Sequence, residues 1–447
     1  AIDSYIKEQE FNHYGSPVPA EDGFPEADLT DWSRTYELKY DLALLPEINI
    51  DLSQAPQFTR HEVAVTEEDI DREVLKLQYR NAEQEEAPEV TSDFPDFQVS
   101  FVLSNVENPA ESGEQPTVFR QLSVNTGLNP RLKAAVEGVK PGDTRKITLE
   151  DLFHNEPGNA QQILQWKGEE FEKRKSEEFF IQILGIQKLT KAELTPELFK
   201  EVLKSEEEVD EAAFRQRIKE ELERSFADLS NHLLHKEFQA WLLENYPLDL
   251  PWEVIERLVV QQEEKLESVE QLRAAQPHMR EQVQYYLLTQ KLREQYPDAD
   301  LPFEDFKEEM KDNLRQYSKA QNDAAQAEKD KLDDAGETPE VAETTEEGVE
   351  NVEAEVVDPD KEASQAADEA SQEEKDQAED QMFDQLITQL FQHSPDQYQQ
   401  QFNQASQRKL YTWMEESGFK VEKDQKDLQD FERTYWDFQV GRPDIPL

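Results

Sequence analysis

The amino-acid sequence predicts an α+β multidomain protein, in which a small sheet-plus-helix domain is joined to an extended all-helical body with arms. Three observations predict it. From Phe94 to Leu189 apolar residues mostly alternate with polar ones, as at Phe97, Val99, Phe101 and Leu103, the spacing of a strand with one buried face. After Thr195-Pro196 the spacing becomes three and four, the stripe of an amphipathic helix, and persists over most of the remaining chain. Between about 322 and 379 Ala, Glu, Asp, Gln, Thr and Ser displace nearly all aromatic and branched residues.

In chain order, residues 1–30 read as a linker, because Gly15-Ser-Pro-Val-Pro19 and Asp22-Gly-Phe-Pro25 are turn-rich. Residues 31–93 form a strand and helix connector to the helical body. There Tyr36-Glu-Leu-Lys-Tyr-Asp-Leu42 alternates, and Thr66-Glu-Glu-Asp69 makes a capping-box start for a helix striped by Ile70, Val74 and Leu77. Residues 94–189 form the sheet domain. Val118, Leu122 and Val124 follow its first strand, and Phe179-Phe-Ile-Gln-Ile-Leu-Gly-Ile186 reads as another. Between them Pro130 opens a short helix with Leu132, Ala135 and Val136 on its apolar face and Gly138 as a left-handed stop.

Residues 190–321 are the first helical part. One long stripe runs through Phe214, Ile218, Leu222, Phe226, Leu229, Leu233, Trp241 and Leu242, and Pro247 and Pro251 bracket a break. A second helix carries Ile255, Leu258, Val259, Leu266 and Val269, a third Val283, Tyr286 and Leu287, and a fourth Phe303, Phe306, Met310 and Tyr317. Residues 322–380 are expected to be a disordered acidic insertion, too poor in apolar surface to offset the entropy of ordering. In residues 381–447 helical spacing returns at Phe383, Leu386, Ile387, Tyr398, Phe402, Leu410 and Trp413, so the stripes flanking the insertion are expected to pack on each other. Phe431–Phe438 is aromatic enough to dock on another element.

Composition narrows the function. With 101 acidic and 47 basic residues in 447, the formal charge of −54 argues against a phosphate-backbone partner, so direct nucleic-acid binding is not expected. There is no cysteine, hence no disulfide and no thiolate ligand or nucleophile. No apolar run is long enough to cross a bilayer, and Ala1-Ile-Asp-Ser-Tyr-Ile-Lys7 lacks a signal-peptide pattern, which makes the cytoplasm the expected location and leaves no membrane partner. No Gly-x-x-x-x-Gly-Lys-Ser/Thr loop occurs, so nucleotide-driven cycling is not indicated. His232 and His235 share a helical face but have no glutamate placed for metal chemistry. No catalytic residue, metal ligand or cofactor is assigned.

The segment Gly127-Leu-Asn-Pro-Arg-Leu-Lys-Ala-Ala-Val-Glu-Gly-Val-Lys-Pro-Gly-Asp143 resembles the helix-and-turn segment of FKBP-type prolyl isomerase domains. The capped helix before it, the strand at Phe179–Ile186, Leu194-Thr-Pro-Glu-Leu-Phe199 and Tyr246-Pro-Leu-Asp-Leu-Pro-Trp252 follow in the order found in trigger factors, the ribosome-associated chaperones of bacteria. That resemblance runs from about residue 1 to 317 and resumes near 380. It implies an FKBP-like domain at 94–189 and an ATP-independent chaperone that holds unfolded or nascent polypeptides in a helical cradle. It also implies a substrate cup at Phe101, Leu128, Pro130, Leu132 and Phe179, to which Phe153 could add a ring.

The sequence departs from the family at that cup. Where the family has Phe-Ile-Pro-Gly-Phe-Glu, this chain has Leu128-Asn129-Pro130-Arg131-Leu132-Lys133, and the acid before the early aromatic is Ser100. The isomerase activity is therefore expected to be weak or lost, with an active prolyl isomerase bearing substrate-binding arms as the alternative. Phe101 and Phe179, on alternating strands, are core residues first. An acidic scaffold in which the FKBP-like text is coincidental is a third possibility. The family's basic docking loop, Gly-Phe-Arg-x-Gly, is not matched, so the chain is expected to begin near the end of the docking domain and to reach a ribosome only through that missing part.

Overall fold

The computed structural model describes residues 2–20, 37–107, 109, 113, 115–154, 157–205, 209–263, 265–316, 319, 380, 382–389 and 394–441. Residues 322–379, which cover nearly all of the expected acidic insertion, lie outside them. The described strands are β1 (His13–Pro19), β2 (Tyr40–Leu44), β3 (Gln57–Val63), β4 (Glu83–Glu86), β5 (Phe97–Ser104), β6 (Phe119–Asn125), β7 (Thr144–Thr148), β8 (Glu178–Thr190) and β9 (Lys420–Lys426). The fold is mixed α and β and divides into one unit of residues 1–291 with 419–447 and a second of residues 292–418.

In the first unit the largest sheet has the order β4-β8-β5-β6, with β7 also on β8. The 13-residue β8 carries β7 along its first half and β4 along its second, both antiparallel. β5 turns Phe97, Val99, Phe101 and Leu103 to one buried face, where Leu132, Val136, Val139, Phe179 and Ile181 meet them. The sheet's packing begins ahead of Phe94, since β4 pairs with β8 and Ala87 and Val90 enter this core. The expected connector at 31–93 is thus shared: its last part belongs to the sheet.

The helix Glu67–Arg80 opens with a full capping box between Thr66 and Asp69. Its buried Ile70, Val74 and Leu77 pack with Phe199, Phe214 and Ile218 of the helices that follow the sheet. The 35-residue helix Glu211–Asn245 runs on to a ring cluster in which Phe58 of β3, Phe238 and Phe419 lie with centroids 4.6–5.0 Å apart. β3 pairs in parallel with β9 from Gln57↔Lys420 to Val63↔Lys426. This joins segments more than 350 residues apart by backbone bonds. The C-terminal helix Leu428–Gly441 docks by burying Phe431 and Tyr435 beside Phe226, Leu229 and Leu233.

Two readings of the sequence are corrected here. The stretch 1–30, read as a linker, holds the helix Ile2–Glu8 and β1, which pairs antiparallel with β2. Its turn-rich text is used in an irregular strand: the register slips between Tyr14 and Val18, and Gly15 takes φ +64° against the Leu258 side chain, where a Cβ would come within 2.6 Å. The stripe from Ile255 to Val269 is also two helices, Trp252–Gln262 and Val269–Ala275, because Ser268 caps the second. On the first of them Glu256 is 1% exposed and accepts from Arg273 at 3.1 and 2.6 Å and from Arg280 at 3.0 and 2.7 Å.

In the second unit, residues 303–316 form a helix against Pro395–Trp413. Phe306 and Met310 meet Tyr398, Phe402 and Ala405, so the stripes flanking the acidic tract do pack together. Arg408 with Glu309, and Lys311 with Glu308 and Asp384, rim the contact. A groove of about 360 Å³ lies between these helices, lined by Phe306, Met310, Leu314 and Ala405.

Candidate functional site

Asn129 organises the surroundings of the candidate site. Its side-chain oxygen accepts from the Leu132 amide at 3.1 Å and so caps the helix Pro130–Ala135. Its Nδ2 donates to the carbonyls of Asp151 and Leu152, both at 2.9 Å, the end of a one-turn helix that Thr148 caps. The buried amide therefore ties two short helices together. Arg131 pairs with Glu150 at 3.3 Å, and Lys133 donates to the Phe94 carbonyl at 3.2 Å and to that of Pro95. Three positions that read as losses from a prolyl cup are used as structural bonds.

The expected cup residues are not gathered on one surface. Phe101, Leu132 and Phe179 are fully buried in the core of the sheet, and Pro130 is exposed at the start of its helix. Leu128 alone of the five lines a cleft, together with Phe153. Phe101, Leu132 and Phe179 belong to one core with Val99, Val136 and Ile181.

The cleft has a volume of about 640 Å³. Its apolar lining is Leu122, Val124, Leu128, Leu152, Phe153 and Ile163, and it follows β6 from Leu122 to Asn125. β6 ends the sheet, and among the described residues no strand pairs with its outer edge. Lys76, Tyr79 and Arg80 from the helix Glu67–Arg80 form the opposite rim, with His154 near Phe153, and no aspartate or glutamate lines the space. Tyr79 is lodged against Gly127, where a Cβ would come within 2.1 Å of its hydroxyl, so glycine is required there. Burial, reinforced by a hydrogen bond to Asp96, pushes the Tyr79 phenol well above its ordinary value, which keeps it a neutral donor.

Reading the sequence missed Lys76, Tyr79 and Arg80 because their helix reads as a connector. The one local signal was that Tyr79 and Arg80 lie off the Ile70, Val74, Leu77 stripe or at its end. The stretch between Leu149 and Lys167, too divergent to align with the family, forms the helices Leu149–Leu152 and Pro157–Leu164. Asp437 of the C-terminal helix holds this wall by accepting from Gln161 at 2.6 Å and from the Gly168 amide at 2.5 Å.

A second, shallower cavity of about 360 Å³ lies between β3 and the long helix, lined by Phe58, His61, Glu237, Trp241, Glu244 and Phe438 among others. Glu237 has no partner among the described residues, and burial alone pushes its carboxyl up to about 7. His61 is held below its ordinary value chiefly by burial and by Lys426, against the opposing pull of Asp424, whose carboxylate lies 3.4 Å from Nδ1 without hydrogen-bond alignment.

No protein-family model matches the chain, and no curated protein matches it. Among solved structures, a trigger factor chaperone described for promiscuous substrate recognition in folding and assembly is similar at 15% identity, over 71% of this chain and 73% of that one, with a TM-score of 0.24. Among the described residues no helix is long and apolar enough to cross a membrane.

Proposed function

We propose that the chain is an ATP-independent chaperone of the trigger factor type, which holds unfolded or nascent polypeptides on apolar surfaces and has lost the isomerase cup of its FKBP-like domain. One observation carries the reading: a cleft of about 640 Å³, with Leu122, Leu128 and Ile163 among its otherwise largely polar lining, takes in Leu122–Asn125 of β6, whose outer edge is unpaired among the described residues. An open strand edge offers backbone donors and acceptors to any extended chain, whatever its sequence, and the apolar wall takes alternate side chains. Promiscuous, reversible holding needs that kind of surface.

The helical second unit supplies a further apolar surface, with the groove beside Phe306 and Met310 and the exposed Phe303, Met382 and Leu386. In this reading it acts as part of the cradle. Burial of Phe101, Leu132 and Phe179 favours holding over isomerisation, since a prolyl cup must desolvate the amide against exposed aromatic walls. Clients are unfolded or nascent polypeptides, and binding needs neither nucleotide nor metal. The test is suppression of client aggregation without ATP, compared with a Leu128→Ser, Ile163→Ser variant that makes the cleft polar. The proposal expects weaker protection from the variant under conditions where urea unfolding shows both proteins folded. Equal protection by both proteins would remove the cleft from the account.

A further inference from the structure

We infer that the β6 cleft selects extended segments in which apolar residues alternate with carboxylates. This rests on the proposed polypeptide-binding role and adds the chemistry of the segment preferred. The observation is a charge anomaly. In a chain with 101 acidic and 47 basic residues, a cleft lined by Lys76, Arg80 and His154 holds no carboxylate. Acidic side chains so abundant would be expected on any surface of this size, and their absence leaves a locally positive site.

The cations are also available. Arg80 makes no hydrogen bond or ion pair among the described residues, and Lys76 has only Glu73, 3.9 Å away along its own helix. Elsewhere arginines are taken up by carboxylates, as Arg131, Arg174, Arg215, Arg257, Arg273 and Arg280 are. The carboxylate of Asp96, nearest in chain to the cleft residue Gln98, is engaged by the Tyr79 hydroxyl. Glu86, opposite Gln187 in the β4 and β8 register, and Glu73, 3.9 Å from Lys76, are acidic side chains that would oppose the preference.

Charge and geometry then fit one occupant. A segment added along Leu122–Asn125 sends alternate side chains to opposite sides, as every strand does. Those on one side meet Leu122, Leu128 and Ile163; those on the other turn toward the helix that carries Lys76 and Arg80. A segment alternating apolar and acidic residues satisfies both sides at once. A basic segment would place its cations against Arg80 and Lys76. The remainder of the acidic chain acts at longer range and is largely screened over a Debye length of about 8 Å at physiological salt, whereas contacts inside the cleft are screened less.

The experiment titrates the full chain with three fluorescein-labelled peptides of the pattern Gly-Val-X-Leu-X-Val-X-Leu-Gly, where X is Glu, Gln or Lys. At physiological salt the Glu peptide is expected to bind about five times more tightly than the Gln peptide, the sum of two partly exposed ion pairs, and the Lys peptide more weakly than either. The Glu advantage should shrink to about twofold in half-molar salt. The Lys76→Gln, Arg80→Gln variant removes exposed or half-exposed side chains and should erase the advantage, so that within the variant the Glu and Gln peptides bind equally. Glu86→Gln should increase it about twofold. A Glu peptide that binds no better than the Gln peptide, or an advantage that survives in the double variant, overturns the inference while polypeptide binding stands. If no peptide of any charge binds, the underlying polypeptide-binding role falls with it.

Discussion

Replacing Glu237 by glutamine removes an ionisation that the native structure disfavours. The carboxyl shares a cavity with Phe58, Trp241 and Phe438 and has no hydrogen-bond or ion-pair partner among the described residues, and burial raises it from 4.5 to about 7. Moving a carboxyl's titration by one pH unit takes about 1.4 kcal/mol, so ionising the native group costs about 3 kcal/mol before allowance for the part of the side chain that reaches water, and about 1–2 kcal/mol after it. The sign follows from proton binding. Between the unfolded value near 4.5 and the native value near 7 the folded protein holds a proton that the unfolded chain has released, so this group's contribution falls as pH rises through that window and is level above it. Glutamine has the same shape and no charge. The Glu237→Gln variant should therefore gain about 1–2 kcal/mol on the parent between about pH 5.5 and pH 8, measured by urea unfolding with tryptophan fluorescence as the probe. A variant whose difference from the parent does not change with pH, or that is less stable at about pH 8, would show that Glu237 ionises in a site that solvates it.

Other substitutions test the remaining structural claims. Glu256→Gln should destabilise the first unit by about 2 kcal/mol in urea unfolding, because a buried acceptor of four guanidinium bonds becomes a weaker one. Since the Arg273 and Arg280 hydrogen bonds hold its carboxyl below the ordinary value, the loss should be full above about pH 4.3 and fade as pH falls further; a pH-independent loss would contradict this. Asn129→Ile should cost about 3 kcal/mol, since it leaves the Leu132 amide and the Asp151 and Leu152 carbonyls without their partner, and a neutral result would refute the structural role of Asn129. The parent should show little or no prolyl isomerase activity on an Ala-Leu-Pro-Phe peptide, and Leu128→Phe, Asn129→Ile, Arg131→Gly, Leu132→Phe should lower stability without restoring turnover; robust turnover by either protein would contradict the closed cup.

The sequence carried the local order well and the long-range pairings poorly. β5 is legible because Phe97, Val99, Phe101 and Leu103 all face one core, and the capping box at Thr66 and Asp69 lies within four residues. β9 is not legible. Lys420–Lys426 offers Val421 as its one apolar residue, and its partner β3 lies at the other end of the chain, so nothing but backbone bonding marks it as a strand. β1 hides behind Gly15, Pro17 and Pro19, which read as punctuation until Leu258 and β2 are in place. At the site, Asn129 reads as a missing apolar wall residue, because the carbonyls it bonds belong to a segment about twenty residues on whose course the sequence does not indicate. The lack of carboxylates in the lining of the β6 cleft is likewise a property of folding, created where Arg80, Leu122 and His154 converge from separate stretches.

Light scattering by a chemically unfolded client, diluted into buffer without nucleotide, tests the central proposal most directly. The account predicts that near-stoichiometric amounts of the chain suppress aggregation, and that a chain deleted for 323–379 does so nearly as well, because the surfaces proposed to hold clients lie outside that tract. Scattering that is unchanged by excess chain would contradict it.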